Sequence, residues 1–447
     1  MTKKIPAFEN KDQKLFLANL SKRIVNQIIM CIIKKSQIRT QERYNKSKKN
    51  FQKIDFSFGI QNFIKIKNFG GSTSLYFNTN DQLLYVLKYF DVCDDESIRQ
   101  FEHELNFYEA INNKNPFLPK FYGTIRTKAL NYIIIEYIEG QMLSSYINNP
   151  ENINDKQDLF RNILEIIISI EFIHLKDFIL RDLKPDNIII DSNKHSILID
   201  FDRSRQDEEV ITGNLGNPSY AALELLNKNE FSKKSDIFSL GKIIHSILSK
   251  FEKCSNNFEY DKLVDIYQKC IKELPEERPN IETIVDDIFL SNPIHESNNE
   301  IVTIIDQLFI YRVQLIENLL KLSDEYLETK LKSIFFIDKN VNLSIHYLTL
   351  LSEKVGVSFA QSFLGSIYFN GKSNIPQDIE KGLHYLILSA DQKNSMALYI
   401  LGQAYFEGRN VTQDIQKSLY YLTLSAEDNF SYANYFLGFI YYIDNTT

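Results

Sequence analysis

Asp182, Lys184, Asn187 and Asp200 place two carboxylates, an amide and an ammonium within twenty residues of one another. The first three sit in the run Leu180-Arg181-Asp182-Leu183-Lys184-Pro185-Asp186-Asn187, and the fourth follows in Ile199-Asp200-Phe201-Asp202. Asn and Asp oxygens are hard donors that suit Mg²⁺, which takes few protein ligands and completes its shell with water and phosphate oxygens. A second Asp can accept a hydroxyl proton, and a Lys can offset the charge of a transferring phosphoryl group. The set fits phosphoryl transfer better than hydrolysis of peptides or sugars.

Such groups work only if rigid elements hold them. Two apolar strand-like runs, NIII and SILID, bracket the cluster. Upstream, from about residue 61, come the short β-like runs FIKIKNF, TSLYFN, LLYVLKYF, KFYGTIR and NYIIIEYI, with one helical segment, SIRQFEHELNFYEAIN, after the third. Past residue 150 the pattern is mostly helical. A small sheet with one helix, followed by a larger helical region, implies two lobes with a cleft between them.

The order of motifs over residues 61–291 resembles the eukaryotic protein kinase family. Tyr85-Val86-Leu87-Lys88 resembles the third-strand lysine motif, which makes Lys88 the expected α/β-phosphate ligand and Glu104 its helix-borne partner. The resemblance gives Asp182 the role of catalytic base, Lys184 that of γ-phosphate lysine, and Asn187 and Asp200 those of the Mg²⁺ ligands. Gly216 to Glu224 resembles the segment that ends in A-P-E. Asp236 falls where the family braces its catalytic loop, and Arg278 where it pairs with Glu224. ATP and Mg²⁺ are the implied cofactors and a protein Ser or Thr hydroxyl the implied acceptor, since Lys184 resembles the serine/threonine class.

Departures accompany these matches. In Asn68-Phe69-Gly70-Gly71-Ser72-Thr73 only Gly70 keeps a family glycine position. Glycines there let backbone N–H groups approach phosphates, so weaker nucleotide binding is expected. Leu180 replaces a His, Asp202 a Gly, Asn217 a Thr and Leu223 a Pro. Asp202 is expected to cost backbone freedom. Ser204 and Thr212 are candidate phosphorylation sites whose phosphate would pair with Arg181. The rival reading is a pseudokinase adaptor that binds nucleotide or partners without transfer.

The last quarter of the chain repeats. Ala360-x3-Leu364-Gly365-x2-Tyr368 recurs from Ala397 and again from Ala433, and QDIEKGLHYLILSAD (377–391) nearly duplicates QDIQKSLYYLTLSAE (413–427). This period, with two helices per unit, marks an α-solenoid and resembles Sel-one-like, tetratricopeptide-related repeats, which implies a protein partner on the array. The expected fold is therefore an α+β two-lobed kinase fold followed by an all-α helical-hairpin solenoid.

Composition agrees with buried cores: 447 residues, 44% hydrophobic and 24% charged. A net charge of −7 gives no reason to expect a specific nucleic-acid partner. Residues 1–55, however, carry 14 Lys/Arg against 4 Asp/Glu, alongside an amphipathic pattern at Phe16, Leu20, Ile24, Ile28 and Ile32. That stretch allows weak contact with an anionic membrane or partner. The four scattered cysteines form no C-x-x-C pair, and no 18-residue apolar run or secretory leader is read, so an intracellular, cytoplasmic protein is expected. The expected division is 1–60 (basic extension), 61–291 (kinase domain, lobes 61–138 and 139–291), 292–340 (helical linker) and 341–447 (repeat array).

Overall fold

The computed structural model describes residues 59–206, 218–250, 258–289 and 341–444, with short omissions inside these spans, and a few residues between 304 and 312. The basic extension, Thr212, Gly216, Asn217 and most of the linker lie outside the described residues. The chain divides into two compact units at Ile288/Phe289.

The first unit begins with a five-stranded antiparallel sheet. Its strands are β1 (Phe63–Gly70), β2 (Thr73–Asn78), β3 (Leu83–Asp91), β4 (Phe121–Arg126) and β5 (Leu130–Glu136), in spatial order β1-β2-β3-β5-β4. Period-two alternation gives β3 two different faces. Tyr85 and Leu87 join Phe63, Tyr122, Ile125, Tyr132 and Ile134 in an aromatic-rich layer on one side. Lys88 alternates to the other side, where helix α1 (Asp95–Ile111) packs. Asp94 caps this helix by accepting from Ser97 N (3.0 Å), with Asp95 and Glu96 in the first turn facing the positive end of its dipole. The helix buries Phe101, Glu104, Leu105 and Tyr108, so Glu104 sits within its apolar stripe.

The rest of this unit is helical. After the short strand β6 (Gly140–Met142) and helix α2 (Leu143–Tyr146) comes α3 (Lys156–His174), apolar almost all round and accordingly central. Strand β7 (Phe178–Ile179) precedes the hairpin β8 (Ile188–Asp191) and β9 (Ser196–Leu198), and β10 (Arg205–Gln206) pairs back to β7. Buried Glu165 of α3 accepts Ser196 N at 2.7 Å and meets His195 Nδ1 at 2.5 Å, fixing the hairpin to the central helix. Helices α4 (Leu223–Lys228), α5 (Lys233–Leu248), α6 (Phe258–Cys270) and α7 (Ile281–Phe289) complete the lobe.

In the second unit, α8 (Val341–Leu350) runs into a π-helical turn, Leu351–Val355, closed by Gly356 at φ 83°. Helices α9 (Ser358–Asn370), α10 (Ile379–Asp391), α11 (Ser395–Glu407), α12 (Ile415–Glu427) and α13 (Ser431–Asp444) follow. The repeat in the sequence becomes a repeat in the bonds. Asp378 and Asp414 cap α10 and α12 through Lys381 N and Lys417 N, each at 3.0 Å. Ser389 Oγ donates to Ser358 O, and Ser425 Oγ to Ser395 O, each at 2.7 Å. Gln377 and Gln413 return to Phe369 O and Phe406 O at 2.9 and 2.8 Å.

Small residues sit where these helices touch. A Cβ built on Gly402 would lie 2.6 Å from Leu422 Cγ, closer than side chains approach. Gly402→Ala is therefore expected to destabilise the repeat unit by about 1–3 kcal/mol despite its better helix propensity. Denaturant melts of wild type and variant measure this; an unchanged midpoint would contradict the packing argument.

Candidate active site

Lys88 is the centre of the first set of polar groups. Its ammonium lies 2.6 Å from Glu104 Oε1 and 2.8 Å from Asp200 Oδ1, with Lys88 and Glu104 only 5% and 1% exposed. Burial alone would lower the lysine's pKa, but the two carboxylates outweigh it and hold the group charged, well above its ordinary range. The same ammonium pulls Asp200 below the usual carboxylate range, against the opposing effect of burial.

Asp200 reaches this position through a left-handed backbone conformation, φ 67°. The following Phe201 is buried, stacked on Phe107 (4.3 Å between centroids) and edge-on to Tyr108 (5.9 Å). Helix α1 thus grips the Asp200 turn twice, by an ion pair and by aromatic packing. The left-handed turn falls on Asp200, and Asp202 has no positive φ. The expected cost of replacing a glycine at 202 does not arise in this conformation.

A second set lies on the loop between β7 and β8. Asp236 at the start of α5 accepts Leu180 N at 2.8 Å and Arg181 N at 2.9 Å, and contacts His174 Nε2 at 2.9 Å. The two donated N–H groups hold a turn in which Arg181 has φ 70°. Leu180 is buried, so an apolar side chain satisfies the position that lacks histidine. Lys184 Nζ lies 2.6 Å from Asp182 Oδ2, and Asn187 Nδ2 donates to Asp182 O at 2.8 Å. Ile199 N donates to Asn187 O at 2.9 Å, which ties the Asp200 turn to the Asn187 turn.

All six polar residues expected from the sequence fall into these two joined sets. Gly70 stands apart from them by contact. It opens the β1–β2 hairpin at φ 121°, and Thr73 across the turn is registered against Lys88. Its N–H donates to Asn68 Oδ1 at 2.9 Å, so the residue that replaces a glycine folds back onto the turn.

Two further residues were not singled out from sequence. Arg203 Nε approaches Asp182 Oδ2 at 3.9 Å, and Phe231 receives the Arg181 guanidinium at 3.6 Å from its ring centroid. The only signal for Arg203 was a cation three residues past Asp200. Ser204 corrects an expectation: it is 1% exposed, so its hydroxyl is out of reach of a modifying enzyme in this conformation.

The donor set passes a chemical test for Mg²⁺. Asn187 Nδ2 is engaged by Asp182, which leaves Oδ1 as the amide's ligand atom, on a turn tied to that of Asp200 through Ile199 N. Two hard oxygens, completed by phosphates and water, are what this cation accepts. Among the described residues no cluster of three or more His, Cys, Asp and Glu offers a different metal cage.

This fold and site define a class. The protein kinase domain model matches residues 69–315, more than half of the chain, and the chain belongs to that family. Two Sel1 repeats match at 358–394 and 395–430, on the helical-hairpin solenoid. The chain is 28% identical over 219 residues to the human cAMP-dependent protein kinase catalytic subunit PRKX, covering 48% of this chain and 60% of that one. It is 30% identical over 188 residues to the human putative serine/threonine-protein kinase PRKY (42% and 66%). It is 25% identical over 223 residues to cAMP-dependent protein kinase type 3 of Saccharomyces cerevisiae (50% and 54%). The chain thus spans between about half and two thirds of the length of these curated relatives. Among the described residues no helix is long and apolar enough to cross a membrane.

Proposed function

We propose that this chain is an ATP-dependent serine/threonine protein kinase, with residues 61–291 as the catalytic domain and 341–447 as a protein-binding array. The observation that carries the reading is the pair of joined sets at Lys88–Glu104–Asp200 and Asp182–Lys184–Asn187, complete in residue type and engaged with one another. Lys88, held charged by two carboxylates, would bind the α- and β-phosphates of ATP. Asn187 and Asp200 would hold Mg²⁺, which offsets phosphate charge when bound. Asp182 orients the acceptor hydroxyl and takes its proton as the new O–P bond forms and the bond to the ADP oxygen breaks. Lys184, already beside Asp182, offsets charge on the transferred group. Lys184 and the names of the relatives support Ser/Thr acceptors over Tyr.

The test is incubation with Mg²⁺–ATP and mixed Ser/Thr and Tyr peptide pools. Phosphate on Ser/Thr, absent with Lys88→Met, is the expected result. Nucleotide binding without ADP release above the Lys88→Met level would sink the enzyme reading in favour of the adaptor.

The Asn68 contact bears on affinity. Asn68→Gly releases the Gly70 N–H for a phosphate oxygen. It is expected to tighten ATP binding by about 1 kcal/mol, roughly fivefold in Kd. Titration calorimetry on both proteins reads it, and equal or weaker affinity in the variant contradicts the role given to Gly70.

A further inference from the structure

Two buried polar atoms beside the Lys88 ion pair have no hydrogen-bond partner among the described residues: Glu104 Oε2 and Tyr108 Oη. Their residues are 1% and 0% exposed. Native interiors pair the great majority of such groups, because an unpaired one forfeits its hydration for nothing. The two residues stand four apart on α1, a spacing that puts side chains one above the other on the same helix face.

The Tyr108 ring is held by its neighbours. It stacks on Phe121 with 5.7 Å between centroids and meets Phe201 edge-on. Beyond burial, the charges that bear on its hydroxyl are Glu104 first, then Lys88, Asp200 and Asp202. The phenol oxygen therefore faces the ion pair at the centre of the site. A phenylalanine would fill the same aromatic stack, so the hydroxyl is what this position adds.

The two unpaired oxygens are chemically complementary. Burial, with the Glu104 carboxylate next, raises the phenol well above its ordinary pKa, so Tyr108 keeps its proton and is a donor. Burial also raises the Glu104 carboxyl, against the pull of Lys88. A carboxylate bonded by one ammonium at Oε1 (2.6 Å), with Oε2 unpaired among the described residues, is short of donors. The two oxygens do not bond each other, and a single water, able to donate and to accept, matches both.

Glu104 is worth holding still because of what it holds. Lys88 is shared between Glu104 and Asp200, and Asp200 is also the carboxylate assigned to Mg²⁺. Glu104 is thus the anion whose single task is to aim the ammonium.

We propose that Tyr108 is a positioning residue for Lys88, acting through a water that its hydroxyl shares with Glu104 Oε2. With both carboxylate oxygens engaged, Glu104 keeps one orientation, and Lys88 is held where the phosphates of ATP arrive. The inference rests on the ATP-binding reading of this site and adds to it a residue outside the motifs.

Tyr108→Phe in the full chain keeps the ring contacts and removes one oxygen. A crystal structure of the wild type should show a water within about 3.2 Å of both Tyr108 Oη and Glu104 Oε2, and the variant should lack it. ATP affinity should fall about fivefold, the worth of one hydrogen bond. Adenosine affinity should stay the same, because Lys88 acts on phosphates. In a Glu104→Ala background, Tyr108→Phe should weaken ATP binding no further. The proposal is overturned by the absence of that water, by a direct Tyr108–Glu104 bond in its place, or by unchanged ATP affinity. An equal loss for adenosine, or a loss that persists beside Glu104→Ala, overturns it as well. So does a raised thermal midpoint in Tyr108→Phe, which would mark the hydroxyl as unpaired in the wild type. A wild type that binds no ATP would sink the phosphoryl-transfer reading instead, and the water and the midpoint would then decide the Tyr108 contact on their own.

Discussion

Asp182→Asn is expected to bind Mg²⁺–ATP as tightly as wild type and to lower phosphoryl transfer on the order of 10²–10⁴-fold. The substitution keeps the shape of the side chain and an oxygen able to face Lys184 Nζ, now 2.6 Å from Asp182 Oδ2. The backbone bond from Asn187 Nδ2 to Asp182 O is untouched. What disappears is an anion able to take a proton. Lys88→Met should behave differently, weakening nucleotide binding and leaving Glu104, 1% exposed, without its cation. Quench-flow rates with paired ATP titrations separate the two. Wild-type turnover in the Asp182→Asn protein would remove Asp182 from the mechanism.

The second large effect concerns Arg278, which is 1% exposed. All five of its N–H donors are used. They reach Glu224 Oε1 (2.5 Å) and Oε2 (2.9 Å) and the carbonyls of Lys272 (2.7 Å), Lys234 (3.1 Å) and Glu273 (2.9 Å). The guanidinium also lies over Phe238 at 4.9 Å. Glu224→Ala leaves this cation buried without its anion and is expected to cost about 3–5 kcal/mol. In a domain of this size that lowers the thermal midpoint by on the order of 10 °C. Arg278→Lys should also be costly, because an ammonium cannot serve five divergent acceptors.

The pH dependence of that pair follows from its sign. Burial pulls Glu224 up, but bonding to Arg278 prevails and its folded pKa is depressed. The stabilisation is therefore full above the unfolded carboxylate value, about 4.3, and is lost as pH falls through the lower folded value. Acid titration of stability should show a larger loss in wild type below about pH 4.3 than in Glu224→Gln, where only the other depressed carboxylates, Asp200 among them, still contribute. A parallel loss in both would place the acid-sensitive group elsewhere.

Much of this site was legible because its chemistry is carried by short runs. Asp182, Lys184 and Asn187 lie in one turn, and Asp200 follows a strand whose partner strand begins just after Asn187. The repeat array was legible for a different reason, since its period is a property of the chain itself. What escaped were contacts between residues far apart in sequence or set by local geometry. Phe231 is fifty residues from the Arg181 it covers, and no pattern links them. The burial of Ser204 depends on how the segment folds behind Phe201, and a hydroxyl reads the same on a surface or inside. The Asn68 bond to Gly70 was within reach of turn chemistry, because Asn commonly accepts a backbone N–H two residues on. The strand Gly140–Met142 is too short to carry a period and exists because β8 offers it an edge.

The near-identity of 377–391 and 413–427 has an evolutionary consequence. Each hairpin closes with the same cap, the same serine link and the same glycine seat, so a duplicated coding segment would yield a unit that fits its neighbour without further change. Array length can then shift by whole units through recombination between similar stretches of DNA. The kinase domain would be unaffected, while the surface of the array lengthens or shortens.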